Sequence, residues 1–409
     1  MNNFTTVGLT IGNAVIDGTN INVSSVTAGT TVISQNSIQT TGNIIAGGVV
    51  LGNGPSSPVV IGTLWAWGDN GQGELGLGNG SNYSSPVQVG ALTNWASVAC
   101  GIYHTMSVKT DGTLWAFGYN AFGQLGLGNT TNYSSPVQVG TLTNWASVAA
   151  GQMHTTAIKT DGTLWACGYN AFGQLGQSNT TNYSSPVQVG ALTNWKSVAC
   201  GYQHTVAIKT DGTLWAWGDN SDGELGLGNT INYSSPVQVG ALTNWESVAC
   251  GHYHTAAIKT DGTLWAWGQD TYGQLGQGNT NYYLSPVQVG ALTNWASVAC
   301  AYQTVAIKTD GTLWACGYNG SGQLGLGNTT NYSSPVQVGT LTNWALVACR
   351  GQTAAIKTDG TLWTWGLNSW GQLGLGNTTN YSSPVQVGAL TNWAVVACGN
   401  GGITAAIQK

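Results

Sequence analysis

The side chains that could do acid–base or metal chemistry are few, and they recur at regular intervals along the chain. Four histidines precede a threonine at intervals of fifty residues (His104, His154, His204 and His254), and His252 lies beside the last of them. The three remaining copies of the phrase lack this histidine and read AYQTVAI, RGQTAAI and GNGGITAAI. A residue type that occupies the same position in several repeats and is absent from the others is typical of a structural role. We therefore predict that these histidines are structural.

The carboxylates repeat in the same way. Six aspartates stand before glycine in the phrase K-T-D-G, a pattern that predicts hairpin turns. They are Asp111, Asp161, Asp211, Asp261, Asp310 and Asp359. Glu74 and Glu224 could form an acid–base pair only if folding brought them together, and no spacing in the sequence indicates this. We therefore predict no catalytic residue, no cofactor and no enzymatic activity.

The eight cysteines are also repeat residues. Six of them close the phrase V-A-C, about fifty residues apart, while Cys167 and Cys316 replace the second Trp of LWAWG. Equivalent positions in successive repeats lie too far apart for the Cα separation of about 4.4–6.8 Å that a disulfide needs. No CxxC pair is present, which disfavours a zinc site. We predict small buried side chains, free of disulfides and metal.

These residues are positioned by a repeat. The tripeptide T-L-W begins at residues 63, 113, 163, 213, 263, 312 and 361, and T-N-W also occurs seven times. A period of about fifty residues that holds several short apolar runs indicates a β-propeller blade. In one period the predicted strands are Ser197–Cys200, Thr205–Lys209, Leu214–Trp217 and Pro236–Val239, with a type I′ turn at Asp211-Gly212 and proline at a strand start.

The ends of the repeat region predict how the ring closes. The last copy, TNWAVVACGNGGITAAIQK, supplies a first and a second strand, whereas the first copy, from Gly62, supplies only a third and a fourth. Joined, the two halves form one blade, which closes the ring and removes both of their open sheet edges. The fold class predicted is therefore all-β: a seven-bladed β-propeller closed by strands from both termini.

The repeat also resembles that of a known family. Residues 199–229, ACGYQHTVAIKTDGTLWAWGDNSDGELGLGN, contain a Gly, a His-Thr pair, Asp-Gly, W-G and G-x-L-G-x-G, and they resemble the RCC1 (regulator of chromosome condensation) repeat. This resemblance implies a seven-bladed propeller closed from both termini. Members include exchange factors that bind chromatin, ultraviolet-B sensors with a GWRHT-like motif, and an inhibitor of β-lactamase. Scarce basic residues and the turns GYQHT and GIYHT disfavour the first two precedents.

Residues 1–56 lie outside the repeat. They form short β-like triplets (VID, INV, TVI, NII, GVV) among Gly, Asn and Thr, with too few large apolar residues for a core of their own. Their composition resembles the trimeric shaft segments of bacteriophage tail fibres. We predict a β-rich attachment and oligomerisation segment at 1–56, with a flexible extension as the alternative, and the propeller at 57–409.

Differences between the near-identical copies identify a candidate binding surface. The copies differ in the turn after V-A-C and in the loop after W-G, and these two segments fall on the same rim of a propeller. Aromatic side chains on loops over a rigid scaffold are typical of binding surfaces, although relaxed drift on an unused surface would give the same variation. The candidate binding residues are Tyr103, Tyr119, Phe122, Tyr169, Phe172, Tyr202, Tyr253, Tyr272, Tyr302, Tyr318 and Trp370.

Composition limits the function classes. With 9 Lys+Arg against 14 Asp+Glu, the chain has no phosphate-neutralising patch, which disfavours nucleic-acid binding. The sequence contains no run of about 18 apolar residues, so we predict no membrane span. The N-terminus lacks the features of a signal peptide.

Two functional hypotheses remain. The first is a viral fibre or tail-tip adhesin on the virion. It would be a homotrimer that joins its fibre partner through residues 1–56 and binds a host-surface glycan or protein. The second is a bacterial protein-interaction scaffold or inhibitor, cytoplasmic or non-classically exported, that binds a protein partner through the aromatic loop face.

Overall fold

The computed structural model describes residues 62–409 and the strand backbones at 9–17, 20–28, 44–46 and 49–51. The chain divides into two compact units, Met1–Val59 and Val60–Lys409. In the first unit, β1 (Leu9–Asp17) and β2 (Asn20–Ala28) pair antiparallel. β3 (Ile44–Ala46) adds parallel to β2, and β4 (Val49–Leu51) antiparallel to β3. The triplet TVI at 31–33 lies outside the described residues, and the resemblance of 1–56 to a fibre shaft stays a prediction.

The second unit consists of seven four-stranded antiparallel sheets. The first strands begin at the Trp of T-N-W: β7 (Trp95–Cys100), β11 (Trp145–Ala150), β15 (Trp195–Cys200), β19 (Trp245–Cys250), β23 (Trp295–Cys300), β27 (Trp344–Cys349) and β31 (Trp393–Gly399). The second strands are β8 (His104–Lys109), β12 (His154–Lys159), β16 (His204–Lys209), β20 (His254–Lys259), β24 (Gln303–Lys308), β28 (Gln352–Lys357) and β32 (Ile403–Gln408).

The remaining strands form the outer half of each blade. The third strands are β5 (Thr63–Gly68), β9 (Leu114–Gly118), β13 (Leu164–Gly168), β17 (Leu214–Gly218), β21 (Leu264–Gly268), β25 (Leu313–Gly317) and β29 (Leu362–Gly366). The fourth strands are β6 (Tyr83–Gln88), β10 (Tyr133–Gln138), β14 (Tyr183–Gln188), β18 (Tyr233–Gln238), β22 (Tyr283–Gln288), β26 (Tyr332–Gln337) and β30 (Tyr381–Gln386). First strands of neighbouring blades contact one another around the ring, so they surround its centre.

The two ends of the repeat region complete one blade, as predicted. Its strand order is β31-β32-β5-β6, and the seam pairs Ile403 with Gly68 and Gln408 with Thr63. We number this blade 1, and blades 2 to 7 follow in chain order. The seam supplies the ladder hydrogen bonds that two open edges would otherwise leave unmade, so β32 and β5 are both interior strands of one sheet.

Two local predictions are wrong. Pro236 lies inside β18 rather than at its start, because β18 is an edge strand whose register shifts between Tyr233 and Val237, where no ladder N–H is required of proline. The Asp211-Gly212 turn is not type I′, because only Gly212 has a positive φ (+77°). Gly212 N–H donates to the Lys209 carbonyl at 2.9 Å, which closes a type I turn followed by a glycine in the left-handed region.

The core lies between adjacent blades. In the layer between blades 4 and 5, Val206, Ile208 and Leu214 of one blade pack on Trp245 and Trp267 of the next. The two indole rings meet edge to face, with centroids 6.0 Å apart. All eight cysteines are buried, as predicted, and carry free thiols. Each blade therefore completes the core of its neighbour, and the loop between the third and fourth strands adds a buried leucine, such as Leu225.

Candidate binding face

The two variable segments of each blade meet on one side of the propeller, as predicted, and we call this side the loop face. The turn between the first and second strands touches the loop between the third and fourth. In blade 2, Tyr119 N–H donates to the Tyr103 carbonyl at 2.7 Å, and in blade 4 Asp219 N–H donates to the Gln203 carbonyl at 2.9 Å. These backbone bonds hold the variable side chains on a common surface.

The repeated phrase G-x-L-G-x-G-N makes the loops rigid. In blade 2 the Asn120 side chain donates to the Asn129 carbonyl at 3.0 Å and accepts from Leu125 N–H at 2.9 Å. Gly123 has φ +82°, and a Cβ there would lie 2.4 Å from Ser184 Cα of the next blade. Only glycine fits this close approach. The loop is thus a spacer locked to its neighbour, which explains its near-identity in every copy.

Five predicted residues form a first aromatic group, patch 1, across blades 2 and 3. Its members are Tyr103, Tyr119, Phe122, Tyr169 and Phe172, and all five are half-buried. Their ring centroids lie 6.3 Å (Tyr103–Tyr119), 6.3 Å (Tyr119–Phe122), 4.9 Å (Phe122–Tyr169) and 6.4 Å (Tyr169–Phe172) apart, in edge-to-face arrangements. The rings therefore form one continuous row with their outer faces in solvent.

A second group, patch 2, spans blades 4 to 6. It contains five further predicted residues and one that sequence reasoning missed: Tyr202, His252, Tyr253, Tyr272, Tyr302 and Tyr318. His252 stacks on Tyr302 with ring centroids 3.7 Å apart and planes 11° apart. Its place in a variable turn, in register with Tyr202 of the preceding copy, was the available signal. Burial lowers the pKa of His252 to about 3, so the ring is neutral in this stack.

Trp370 is the predicted residue that joins neither patch. It is 50% exposed in blade 7, and no ring of another described residue pairs with it. A Cβ at Gly402, in the turn of blade 1, would lie 2.6 Å from its Cδ1. Trp370 therefore packs on the glycine turn of blade 1, where side chains would displace it.

The charges of the propeller are divided between its two faces. All eight lysines lie on the face opposite the loop face, at the end of a second strand or the start of a first. The loop face carries one basic group, Arg350, whose Nη1 donates to the Cys250 and Cys300 carbonyls at 3.4 and 3.2 Å. Its carboxylates are Asp69, Glu74, Asp219, Asp222, Glu224 and Asp270. The loop face is acidic as a result.

Four of these carboxyls are buried beneath the loops: Glu74, Asp219, Glu224 and Asp270. Burial raises the pKa of Glu74 and of Asp270 to about 7, and that of Glu224 to about 8. Each glutamate accepts only a backbone N–H of its own loop, from Gln72 at 2.7 Å or from Asp222 at 2.9 Å. The two glutamates belong to blades 1 and 4, with two blades between them. Folding does not bring the conceivable acid–base pair together.

The four repeated histidines connect blades. His154 Nε2 lies 3.1 Å from Thr205 Oγ1 of the next blade, and that hydroxyl donates to the Gln174 carbonyl at 2.8 Å. Because the single hydroxyl proton goes to the carbonyl, the imidazole must donate from Nε2. Burial lowers the pKa of His154 to about 3, which keeps the ring neutral. This geometry supports the predicted structural role.

The repeated aspartates are turn residues. Asp211 Oδ1 accepts from both the backbone N–H and the hydroxyl of Thr213, at 3.0 and 2.6 Å.

Among the described residues, no group of three or more His, Cys, Asp or Glu could hold a metal ion. In that same part of the chain, no helix has the length and apolar character needed to cross a membrane. The loop face therefore offers aromatic and acidic groups for binding.

Comparison with known proteins identifies the repeat. The family model described as the RCC1-like domain matches residues 30–303. The model of the regulator of chromosome condensation (RCC1) repeat matches residues 310–355 and 359–406.

Two solved structures are similar. Human WBSCR16 is 23% identical, with a TM-score of 0.76, covering 85% of this chain and 99% of that one. Prp20p from Saccharomyces cerevisiae is 20% identical, with a TM-score of 0.77, covering 86% and 92%. At these identities the structural likeness shows the fold alone.

Proposed function

Since the chain belongs to the RCC1-like domain family, we propose that it is a protein-binding propeller that holds a protein partner on its loop face. The observation that carries this proposal is the pair of aromatic patches. Ten of the eleven variable aromatic residues lie in two contiguous groups of half-exposed rings on loops fixed by backbone hydrogen bonds. Rigid aromatic side chains bury large areas on binding at a low cost in conformational entropy.

Two further observations support a binding role. The structure of Prp20p was described together with its binding to Gsp1p and histones, so a propeller of this fold takes protein partners. Glu74 and Glu224, the two candidates for an acid–base pair, lie in different blades, which favours binding over catalysis as the function. We therefore propose a non-enzymatic interaction protein.

The fibre-tip hypothesis differs in the occupant of the same face. A viral adhesin would place a host-surface glycan or protein on patches 1 and 2 and would join its fibre through residues 1–56. This stays a prediction from the composition of the N-terminal segment, as does its location on a virion.

Site-specific photo-crosslinking in lysate of the source cells tests the proposal. The full chain carries p-benzoylphenylalanine in place of Tyr119 or Tyr302 on the loop face, or in place of Leu142 or Leu292. The two leucines are 46% exposed and precede a first strand on the opposite face, so they serve as matched controls. We expect the loop-face positions to crosslink one shared protein and the leucine positions not to do so. Equal crosslinking from both faces, or crosslinking from the leucines alone, would refute the proposal.

A further inference from the structure

Patch 2 combines stacked rings with carboxylates that have no cationic partner. Tyr202 lies 5.4 Å, centroid to centroid, from both His252 and Tyr253, and the His252–Tyr302 stack closes the group on its other side. All five tyrosines of patch 2 are half-buried, so every tyrosine ring keeps part of its surface in solvent. A group of electron-rich rings of this kind attracts a cation placed over its faces.

Two aspartates border these rings. Asp219 N–H donates to the carbonyl of Gln203, the residue after Tyr202, and the buried Asp219 Oδ1 accepts from Ser221 N–H and Oγ–H at 3.3 and 2.7 Å. Asp222 is half-buried, and its Oδ2 accepts from Gln269 Nε2 at 3.3 Å. Burial, then the neighbouring tyrosines, then Asp222 and Asp219 raise the pKa of Tyr253 to about 12, so both carboxylates act on this ring. The ion pair found among the described residues, Lys196–Glu246, lies on the opposite face. The charge of Asp219 and Asp222 is therefore uncompensated within residues 62–409.

Patch 1 provides the internal comparison. Both of its loops read YNAFGQ and carry no carboxylate, although the rings are spaced much as in patch 2. A ligand recognised by aromatic contact alone would suit either patch. A cationic ligand would suit patch 2, where rings and negative charge coincide.

We propose that patch 2 binds a basic segment of the protein partner, with a lysine or arginine side chain lying against Tyr202, Tyr253 and Tyr302 and paired with Asp222, beside the buried carboxyl of Asp219. This inference rests on the proposed function and names the chemistry of the partner. The loop face adds long-range attraction for such a segment, because its acidic groups outnumber its one basic group, Arg350, which keeps its charge while Nη1 donates to the Cys250 and Cys300 carbonyls.

The test measures binding of a fluorescein-labelled deca-arginine peptide to the full chain by fluorescence anisotropy at low salt. Asp222→Asn is compared with Glu246→Gln, which removes the same charge from the opposite face. Tyr302→Ala is compared with Tyr119→Ala in patch 1 and with Tyr302→Phe, which keeps the ring. We expect affinity to fall about 3- to 10-fold for Asp222→Asn and for Tyr302→Ala. The three comparison variants should stay within about 2-fold of the parent, with melting temperatures confirming that every variant folds.

Three results would overturn the inference. Equal loss for Asp222→Asn and Glu246→Gln would mean that the peptide responds to net charge alone. An unchanged affinity for Tyr302→Ala would remove the aromatic contact. If deca-arginine fails to bind while Tyr302 still crosslinks a partner, the proposed function stands and the cationic occupant falls; binding of neutral glycans at Tyr302 would instead favour the adhesin.

Discussion

Glu224 occupies a buried position that five other blades fill with glutamine, so Glu224→Gln is a substitution that the fold already accommodates. Glu224 is 1% exposed and accepts one backbone N–H through Oε2, while Oε1 has no partner. Gln174, its equivalent in blade 3, accepts from Phe172 N–H through Oε1 in the same way, at 3.0 Å. The two side chains make the same hydrogen bond, and the difference between them is the charge.

The expected effect depends on pH. Burial raises the pKa of Glu224 from 4.5 to about 8, so the folded state holds this proton more tightly than the unfolded state does. Stability is therefore lost as pH rises from 4.5 through 8. At 1.36 kcal/mol per pKa unit, the buried carboxyl costs roughly 1 kcal/mol at pH 5 and about 5 kcal/mol at pH 9. Glutamine removes this pH-dependent cost, whatever constant difference the amide adds.

Thermal unfolding of the full chain measures the change. With an unfolding entropy of about 2 cal/mol/K per residue, the Val60–Lys409 unit should gain about 7 °C from Glu224→Gln at pH 9 and about 1 °C at pH 5. Gln174→Glu is the reciprocal control, because it should install the same pH dependence in blade 3. A Tm difference between Glu224→Gln and the parent that is the same at pH 5 and pH 9 would refute the reasoning, since the carboxyl would then not titrate between them.

Three further predictions follow from the repeat. Gly201→Ala should lower the Tm by several degrees, because its Cβ would lie 2.1 Å from His204 Cε1. Deleting His204 in the same variant reproduces the sequence CAYQTVAIK of blade 6 and should restore most of the lost Tm. A double variant whose Tm does not recover would contradict this account. His154→Gln should reduce the loss of Tm on acidification from pH 6.5 to pH 4, because the lowered pKa of the folded imidazole makes stability decrease as pH decreases. An unchanged slope of Tm against pH would show that the histidine does not titrate on unfolding. By light scattering, a fibre segment predicts a trimer for the full chain and a monomer for a chain beginning at Ser57, whereas monomers in both cases would count against the fibre.

The ring could be predicted from the sequence because closure depends on counting strands. The first copy lacks two strands and the last copy supplies them, and counting these strands requires no knowledge of side-chain geometry. Local backbone choices were harder to predict. Pro236 is tolerated mid-strand because its strand lies at a sheet edge, and Gly212 alone takes the left-handed conformation in its turn. Both depend on which backbone groups find partners after the sheet has formed.

The binding face was predictable by position but not by composition. Variation between copies predicts that Tyr119 and Tyr302 lie on one rim, because successive turns of a blade alternate between its faces. It does not predict that the rings divide into two patches, or that His252 stacks on Tyr302 at 3.7 Å, because these depend on distances between blades. The near-neutral pKa of Glu224 also escapes the sequence, since it arises from burial beneath a loop that looks exposed.

The contacts that join the blades explain why the loops can vary while the ring persists. In all seven interfaces a threonine hydroxyl of one blade donates to a loop carbonyl of the blade before it, at 2.7–2.8 Å. The threonines are Thr105, Thr155, Thr205, Thr255, Thr304, Thr353 and Thr404. The acceptor is always a backbone carbonyl oxygen, which every residue type provides. Side chains at the loop tips, such as Tyr119 and Trp370, take no part in this bond, so they can change with the partner while the blade interface stays the same.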